Sequence, residues 1–460
     1  MISVCLVALS GYLFNDLLKV GESPFQGLVV LSFFVFCGIS LFTYSKHKLF
    51  YILALPVLTQ FIHIFQKYTF TTGANSIWRL FPFLLLDLYF VHFFLKKQTT
   101  LSQKNKLFIC SWLIFNFLFL IISVNLQNII GGAILLYFIT LPLLFSYLSL
   151  TAQAQNFNEE IEKYLCLLFI ILGLGTFGLV FMGAGYKGSD NLLATRNIAD
   201  TNVTMAYFIL LWPFALLYSS RNSVPQIFKF GIFAIFSFVV ILSFSRGAVL
   251  IVAPYILLTA LFAPDFFSLK WILPLLILGI SYSSKISGFL EKQDLIYFWK
   301  LRFGDMVSIN SLISKLESVS GRGEIHRIAY SLFLKSPLIG HGIGSFEILG
   351  PGYREAHSMW YTLLSEEGIV GIIYNYAIFL ALGLALSKTA FKDKKYAVLV
   401  ISLLFYLLFN HTVGSVFVVL PGKSITINCI APVILMCLYF YSKSQKTSLE
   451  FYKKNYKEHV

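Results

Sequence analysis

Residues 228–263 read FKFGIFAIFSFVVILSFSRGAVLIVAPYILLTALFA, with Lys229 and Arg246 as the only charged side chains. A helix that crosses a bilayer needs about 20 mostly apolar residues, because in lipid the backbone must satisfy its own hydrogen bonds. The stretch is long enough for two such helices, at 228–244 and 247–263, with Ser243-Phe244-Ser245-Arg246-Gly247 as the corner between them. An arginine costs about 2.5–3.5 kcal/mol at mid-membrane and less near the surface. Arg246 is therefore expected at the corner rather than within a span. Guanidinium is also the side chain best matched to phosphate, through paired planar hydrogen bonds.

The same reading extends outward in both directions. Further candidate spans lie near 2–19, 26–44, 48–66, 78–95, 106–123, 128–150, 163–183, 200–219, 270–287, 368–387, 395–412 and 423–442. The expected fold is an all-α polytopic membrane protein with about 12–14 transmembrane helices. Composition agrees. Of the 460 residues, 58% are hydrophobic, 17% aromatic and only 12% charged, whereas a soluble domain carries about 25% charge. The 48 phenylalanines and 25 tyrosines exclude disorder. Six cysteines, all within apolar runs, exclude a disulfide scaffold and read as small buried hydrophobes. The apolar runs are continuous, not alternating, which argues against a β-barrel. Residues 2–14 lack a preceding basic segment and read as a retained first span, not a cleaved signal.

Lysine and arginine set the orientation. With fourteen spans and both ends inside, the inner loops and tail hold about nineteen of them, and the short outer loops about seven. Most of the net charge of +14 therefore lies against anionic headgroups, and nucleic acid is not needed to explain it. No internal repeat of transporter type is visible. Three regions emerge: an N-terminal bundle over 1–183, a central region over 184–390, and C-terminal helices with a basic cytoplasmic tail over 391–460.

One loop, 288–357, is far longer than the rest, and long loops in compact proteins are usually functional. The orientation puts it outside the cytoplasm, where its basic character points to an anionic substrate. Within it, apolar residues recur at helical spacing from Glu324, and Pro337 is expected to end that helix. Gly340-His341-Gly342-Ile343-Gly344 follows. It reads as plain loop, with a phosphate-binding nest as the alternative. Four segments gather on the outer side: 195–202 with Arg196, 243–247 with Arg246, the segment holding Arg322 and Arg327, and 356–371 with His357-Ser358 and Glu366-Glu367. Several arginines near one membrane surface point to a lipid-linked phosphate or diphosphate. A neutral imidazole at His357 can take a proton from a hydroxyl, and Glu366 or Glu367 can orient that imidazole or cap a helix. The histidines have no recognised metal spacing, and the chain has no Asp-x-Asp pair.

These residues resemble the O-antigen ligase and Wzy-type polymerase superfamily, most strongly over about 190–390. The carriers of the resemblance are Ser245-Arg246-Gly247-Ala248, the Arg322–Arg327 segment, Pro337-Leu338-Ile339-Gly340 with Gly342, Gly344 and Phe346, and a histidine motif. In O-antigen ligases that motif is His, then Asn, Ser or Gln, nine residues, Gly, two residues, and Gly, Thr or Tyr. Here His357-Ser358 is followed at that spacing by Gly368 and Gly371; Ser358 stands where Asn is commoner. The resemblance implies a metal-independent, inverting membrane glycosyltransferase of the GT-C type, without cofactor, in the bacterial inner membrane with its site facing the periplasm. It implies an undecaprenyl-diphosphate-linked glycan as donor. Arg246 and Arg322 would hold the diphosphate, with Arg196 and Arg327 as weaker candidates, and Glu366 and Ser358 would support the site. His357 would deprotonate the acceptor hydroxyl. The acceptor is a lipid A-core hydroxyl if the chain is a ligase, or a second lipid-linked glycan if it is a polymerase. A lipid-linked glycan transporter is the alternative from another class.

Overall fold

The computed structural model describes residues 35–43, 47–65, 77–97, 100–181, 201–221, 224–243, 248–262, 322–350, 356–412 and 430–458. The candidate spans at 2–19 and 270–287, Arg196, Arg246 and most of the long loop before Arg322 lie outside the described residues.

Every regular element among the described residues is helical. In chain order the α-helices named below are α1 Lys48–Phe65, α2 Ile77–Lys96, α3 Gln103–Ile121, α4 Leu126–Thr151, α5 Phe157–Phe181, α6 Thr201–Ser219, α7 Gln226–Leu242, α8 Ala253–Leu261, α9 Arg322–Lys335, α10 Phe346–Leu349, α11 Met359–Ala390, α12 Ala397–Thr412 and α13 Ile430–Glu458, with a π-helical segment Ala248–Val252 before α8 and a 3-10 turn Lys394–Tyr396 before α12. Among them α3, α4, α11 and the stretch Lys394–Thr412 are long and apolar enough to cross a membrane, and five further apolar helices are shorter. The protein is an all-α, multi-pass membrane protein.

α6 lies at the centre. Residues 204–217 are buried on every side, which is why this helix is apolar all round instead of on one stripe. Phe169, Phe208, Trp212 and Phe236 meet around it, with ring centroids 5.2 Å apart for Phe169–Phe208, 5.8 Å for Phe169–Trp212 and 5.0 Å for Trp212–Phe236. In lipid the gain comes from such close packing, since the tails outside are as apolar as the core. Polar side chains pin the packing at a few points. The Trp212 indole donates to Thr259 Oγ1 at 2.8 Å. At one edge of the bundle Arg221 binds Glu162 (2.7 Å) and Glu159 (2.7 Å), while the Tyr441 hydroxyl donates to Glu162 at 2.5 Å. That network ties α5, the end of α6 and α13 together.

α4 contains a π-helical segment, Ile134–Thr140. The wider turn leaves backbone groups without standard helical partners. The Trp112 indole donates to the Tyr137 carbonyl at 2.9 Å, and Thr140 Oγ1 donates to Asp87 Oδ2 at 3.0 Å. The span placed at 368–387 is the part of α11 that follows a break at Gly368, and a shorter helical part precedes it from Met359. The tail after the last span is helical to Glu458. One sequence expectation changes: Cys110 is exposed, since it lies on a face of α3 turned away from the bundle, beside Leu107 and Ile114.

Candidate functional site

At Gly368 the backbone leaves the helical region (φ 62°, ψ −157°). Only glycine adopts this conformation without strain. The break leaves the amides of Ile369 and Val370 without helical acceptors, and both find partners in the loop after α9. Ile369 donates to the Pro337 carbonyl at 2.9 Å and Val370 to the Leu338 carbonyl at 3.1 Å. The loop answers in kind: His341 donates to the Ser365 carbonyl at 3.2 Å and Gly342 to the Glu366 carbonyl at 2.7 Å. Backbone lies directly on backbone here. A Cβ at position 368 would meet the Leu338 carbonyl at 2.6 Å, and one at Gly340 (φ +61°) would meet that of Glu366 at 2.4 Å.

Glu366 is wholly buried. Its carboxylate accepts from the amides of Gly344 (2.9 Å) and Phe346 (3.2 Å). The end of the glycine segment thus forms an anion-binding concavity from the Gly344 and Phe346 amides, and the group in it is the protein's own carboxylate. The segment is the loop its sequence points to, and Glu366 occupies the place that the alternative reading gave to a phosphate. On its other side the loop is held by the turn after α3. Ser123 Oγ donates to the Ile343 carbonyl at 2.7 Å, and Asn125 Nδ2 to the Gly344 carbonyl at 2.8 Å. The expected helix from Glu324 to Pro337 is present as α9, starting at Arg322.

His357 sits immediately before α11. Its φ of +51° is the only positive value at a non-glycine residue among the described residues. Such a backbone costs about 1–3 kcal/mol and persists only where neighbours over-determine it. Both neighbours are pinned. The Ala356 amide donates to Thr362 Oγ1 at 3.2 Å, and the Ala356 backbone also takes a hydrogen bond from His326. On the other side the Ser358 carbonyl opens α11 by accepting from Thr362 at 2.9 Å. Ser358 is buried and makes no side-chain cap, so its contribution is through the backbone. The His357 side chain is half-buried.

Sequence reading assigned no role to His326, although it follows Arg322 by one helical turn and so shares its face. Its ring stacks on Tyr361, with centroids 4.3 Å apart and an interplanar angle of 13°. Burial pushes its basicity below the ordinary histidine range, and the nearby Arg322 guanidinium and His357 ring add to that. One charged and two imidazole side chains are thereby gathered at the junction of α9 and α11. Arg322 Nη1 donates to the Thr412 carbonyl at the end of α12, at 3.1 Å. Nearby in sequence, the His411 ring pairs with the Tyr376 hydroxyl. Arg327 is exposed and, one residue beyond His326, lies on a different face of α9 from the Arg322–His326 pair.

The arrangement offers an imidazole on a rigid, strained mount at His357, and next to it a second imidazole, His326, that shares a helix face with a guanidinium. It fits proton transfer next to a bound anion. The class so defined is a multi-pass membrane protein. Residues 231–376 match the family model for O-antigen ligase, a stretch that takes in Arg246, Arg322, His326, His357 and Glu366. Over this region the chain is similar to the O-antigen ligase and Wzy-type polymerase superfamily, and the match supports an O-antigen ligase-type function in the broad sense. No curated protein matches the chain.

Proposed function

We propose that this protein is an O-antigen ligase that transfers a glycan from undecaprenyl diphosphate to a hydroxyl of the lipid A core, on the periplasmic side of the inner membrane. The His357 imidazole takes the proton from the acceptor hydroxyl. The freed oxygen attacks the anomeric carbon in line, and the bond from that carbon to the diphosphate oxygen breaks. The electron pair leaves with the undecaprenyl diphosphate, and the configuration inverts. Charge grows on the leaving diphosphate, and Arg246 and Arg322 hold it, which lets the reaction run without a metal. Arg196 and Arg327 add positive charge around the site. His326, neutral beside Tyr361, helps hold Ala356 and with it the His357 mount.

The observation that carries this reading is the pinned left-handed backbone of His357, with His326 between it and Arg322, inside the region that matches the ligase family. Deletion of the gene followed by lipopolysaccharide gel analysis tests it. Loss of all capped core, with lipid-linked polymer intact, is the expected result. Core bearing a single repeat unit would make the protein a polymerase instead.

A further inference from the structure

At the end of the bundle away from His357 a second feature stands apart from this chemistry. A cleft lies between α3, α4, α11 and α13 and is lined almost entirely by apolar side chains, with Lys104 and Asn105 at one end and Trp112 among the deeper residues. Ala381 on its rim is exposed, and Ile109 and Ile378 are half-exposed, so the cleft opens sideways toward lipid. Its other wall carries Leu435 and Tyr439. One turn beyond Tyr439, the exposed Lys443 reaches over that ring (5.9 Å) and its ammonium lies 3.5 Å from Asn105 Oδ1. Lys104 is also exposed and close enough for the two like charges to repel. Two ammonium groups meet at the mouth of an apolar groove.

The depth of this mouth follows from α3. The helix starts beside Lys104 and ends at Ile121, and the turn after it binds the glycine loop. Nineteen residues rise about 28 Å, close to the roughly 30 Å hydrocarbon thickness. The lysines therefore mark the leaflet opposite the His357 end. From Lys104 to Trp112 the groove runs about 12 Å along the axis, comparable to the roughly 15 Å depth of one leaflet. A single acyl chain fits that length, whereas a long polyprenyl chain is several times longer.

We propose that this cleft binds one anionic glycerophospholipid of the leaflet opposite the His357 end, its phosphate between Lys104 and Lys443 and one acyl chain along the groove toward Trp112. The site is separate from the transfer chemistry, and its test reads lipid binding alone. The full chain in detergent is titrated with phosphatidylglycerol or with zwitterionic phosphatidylcholine of the same acyl chains, and bound lipid is counted by native mass spectrometry. The wild type is expected to hold one phosphatidylglycerol with at least tenfold preference. The double variant K104Q/K443Q is expected to weaken that binding about thirtyfold, each lysine near an anionic surface contributing about fivefold. Ala381→Trp, which fills the cleft from its rim, is expected to remove the bound lipid while leaving both lysines in place. Equal retention of the two lipids by the wild type overturns the proposal, as does unchanged phosphatidylglycerol binding in the charge variant or in the filling variant. Preference for undecaprenyl phosphate over phosphatidylglycerol overturns the choice of occupant, and the absence of an adduct with any lipid overturns the site itself.

Discussion

Replacing Gly368 with alanine attacks the joint between the glycine loop and the broken helix. The conformation at φ 62°, ψ −157° costs a residue with a Cβ about 1–3 kcal/mol. The new methyl would also lie 2.6 Å from the Leu338 carbonyl and 2.8 Å from the Gly340 amide nitrogen. Both are backbone and cannot rotate away. If the loop lifts, the bonds from Ile369 and Val370 to Pro337 and Leu338 are lost, at about 1 kcal/mol each. The total is about 3–5 kcal/mol, a factor of roughly 150 to 5,000 in the ratio of docked to undocked loop. Hydrogen exchange reads this directly, because the amides of Gly342 and Gly344 are sealed against Glu366. In G368A their protection is expected to fall at least a hundredfold, and transfer to fall with it. Gly323 serves as the control, since a Cβ there meets nothing within 4 Å and alanine favours the helix by about 1 kcal/mol. Wild-type exchange and transfer in G368A would refute the docking argument.

Two further outcomes are expected. His357→Ala and Arg246→Ala each abolish transfer while insertion and abundance stay normal, as scored by lipopolysaccharide gels and membrane immunoblots; full activity in either removes the proposed mechanism. His326 gives a pH dependence. Its folded pKa is lowered from an unfolded value of about 6.5, so the unfolded chain binds the proton first as pH falls. The stabilisation is complete above about pH 6.5 and is lost as pH drops toward the folded value. Melting curves at pH 7.5 and 5 should show a loss for the wild type that His326→Gln, which cannot titrate, reduces; equal losses in both would refute the assignment.

Much of the fold is legible without coordinates, because lipid imposes a length and a composition on every crossing helix. The candidate span at 200–219 agrees with α6 to within one residue, and α9 lies where the apolar spacing and Pro337 put it. The histidine motif was visible as well, though its glycines were only a pattern. Their cause is contact: Gly368 and Gly340 press against backbone from 338 and 366, residues 26 to 30 apart in the chain. The carboxylate at Glu366 was visible as a charge near a histidine, but its two amide partners depend on a loop twenty residues upstream. His326 carried one faint signal, its spacing of four from Arg322.

Sequence alone determined that this chain is a bundle of membrane helices with its basic and imidazole groups clustered along one stretch, since hydropathy and helix period are properties of adjacent residues. Which side of each helix meets lipid was not readable, because a lipid-facing residue and a core residue are equally apolar; Ile114 is exposed and Phe115 beside it is buried. Tertiary packing alone set the break in α11, filled the glycine concavity with Glu366, forced His357 into a left-handed backbone, and opened a cleft whose walls come from four helices far apart in the chain. Each of these depends on hydrogen bonds or contacts between distant segments.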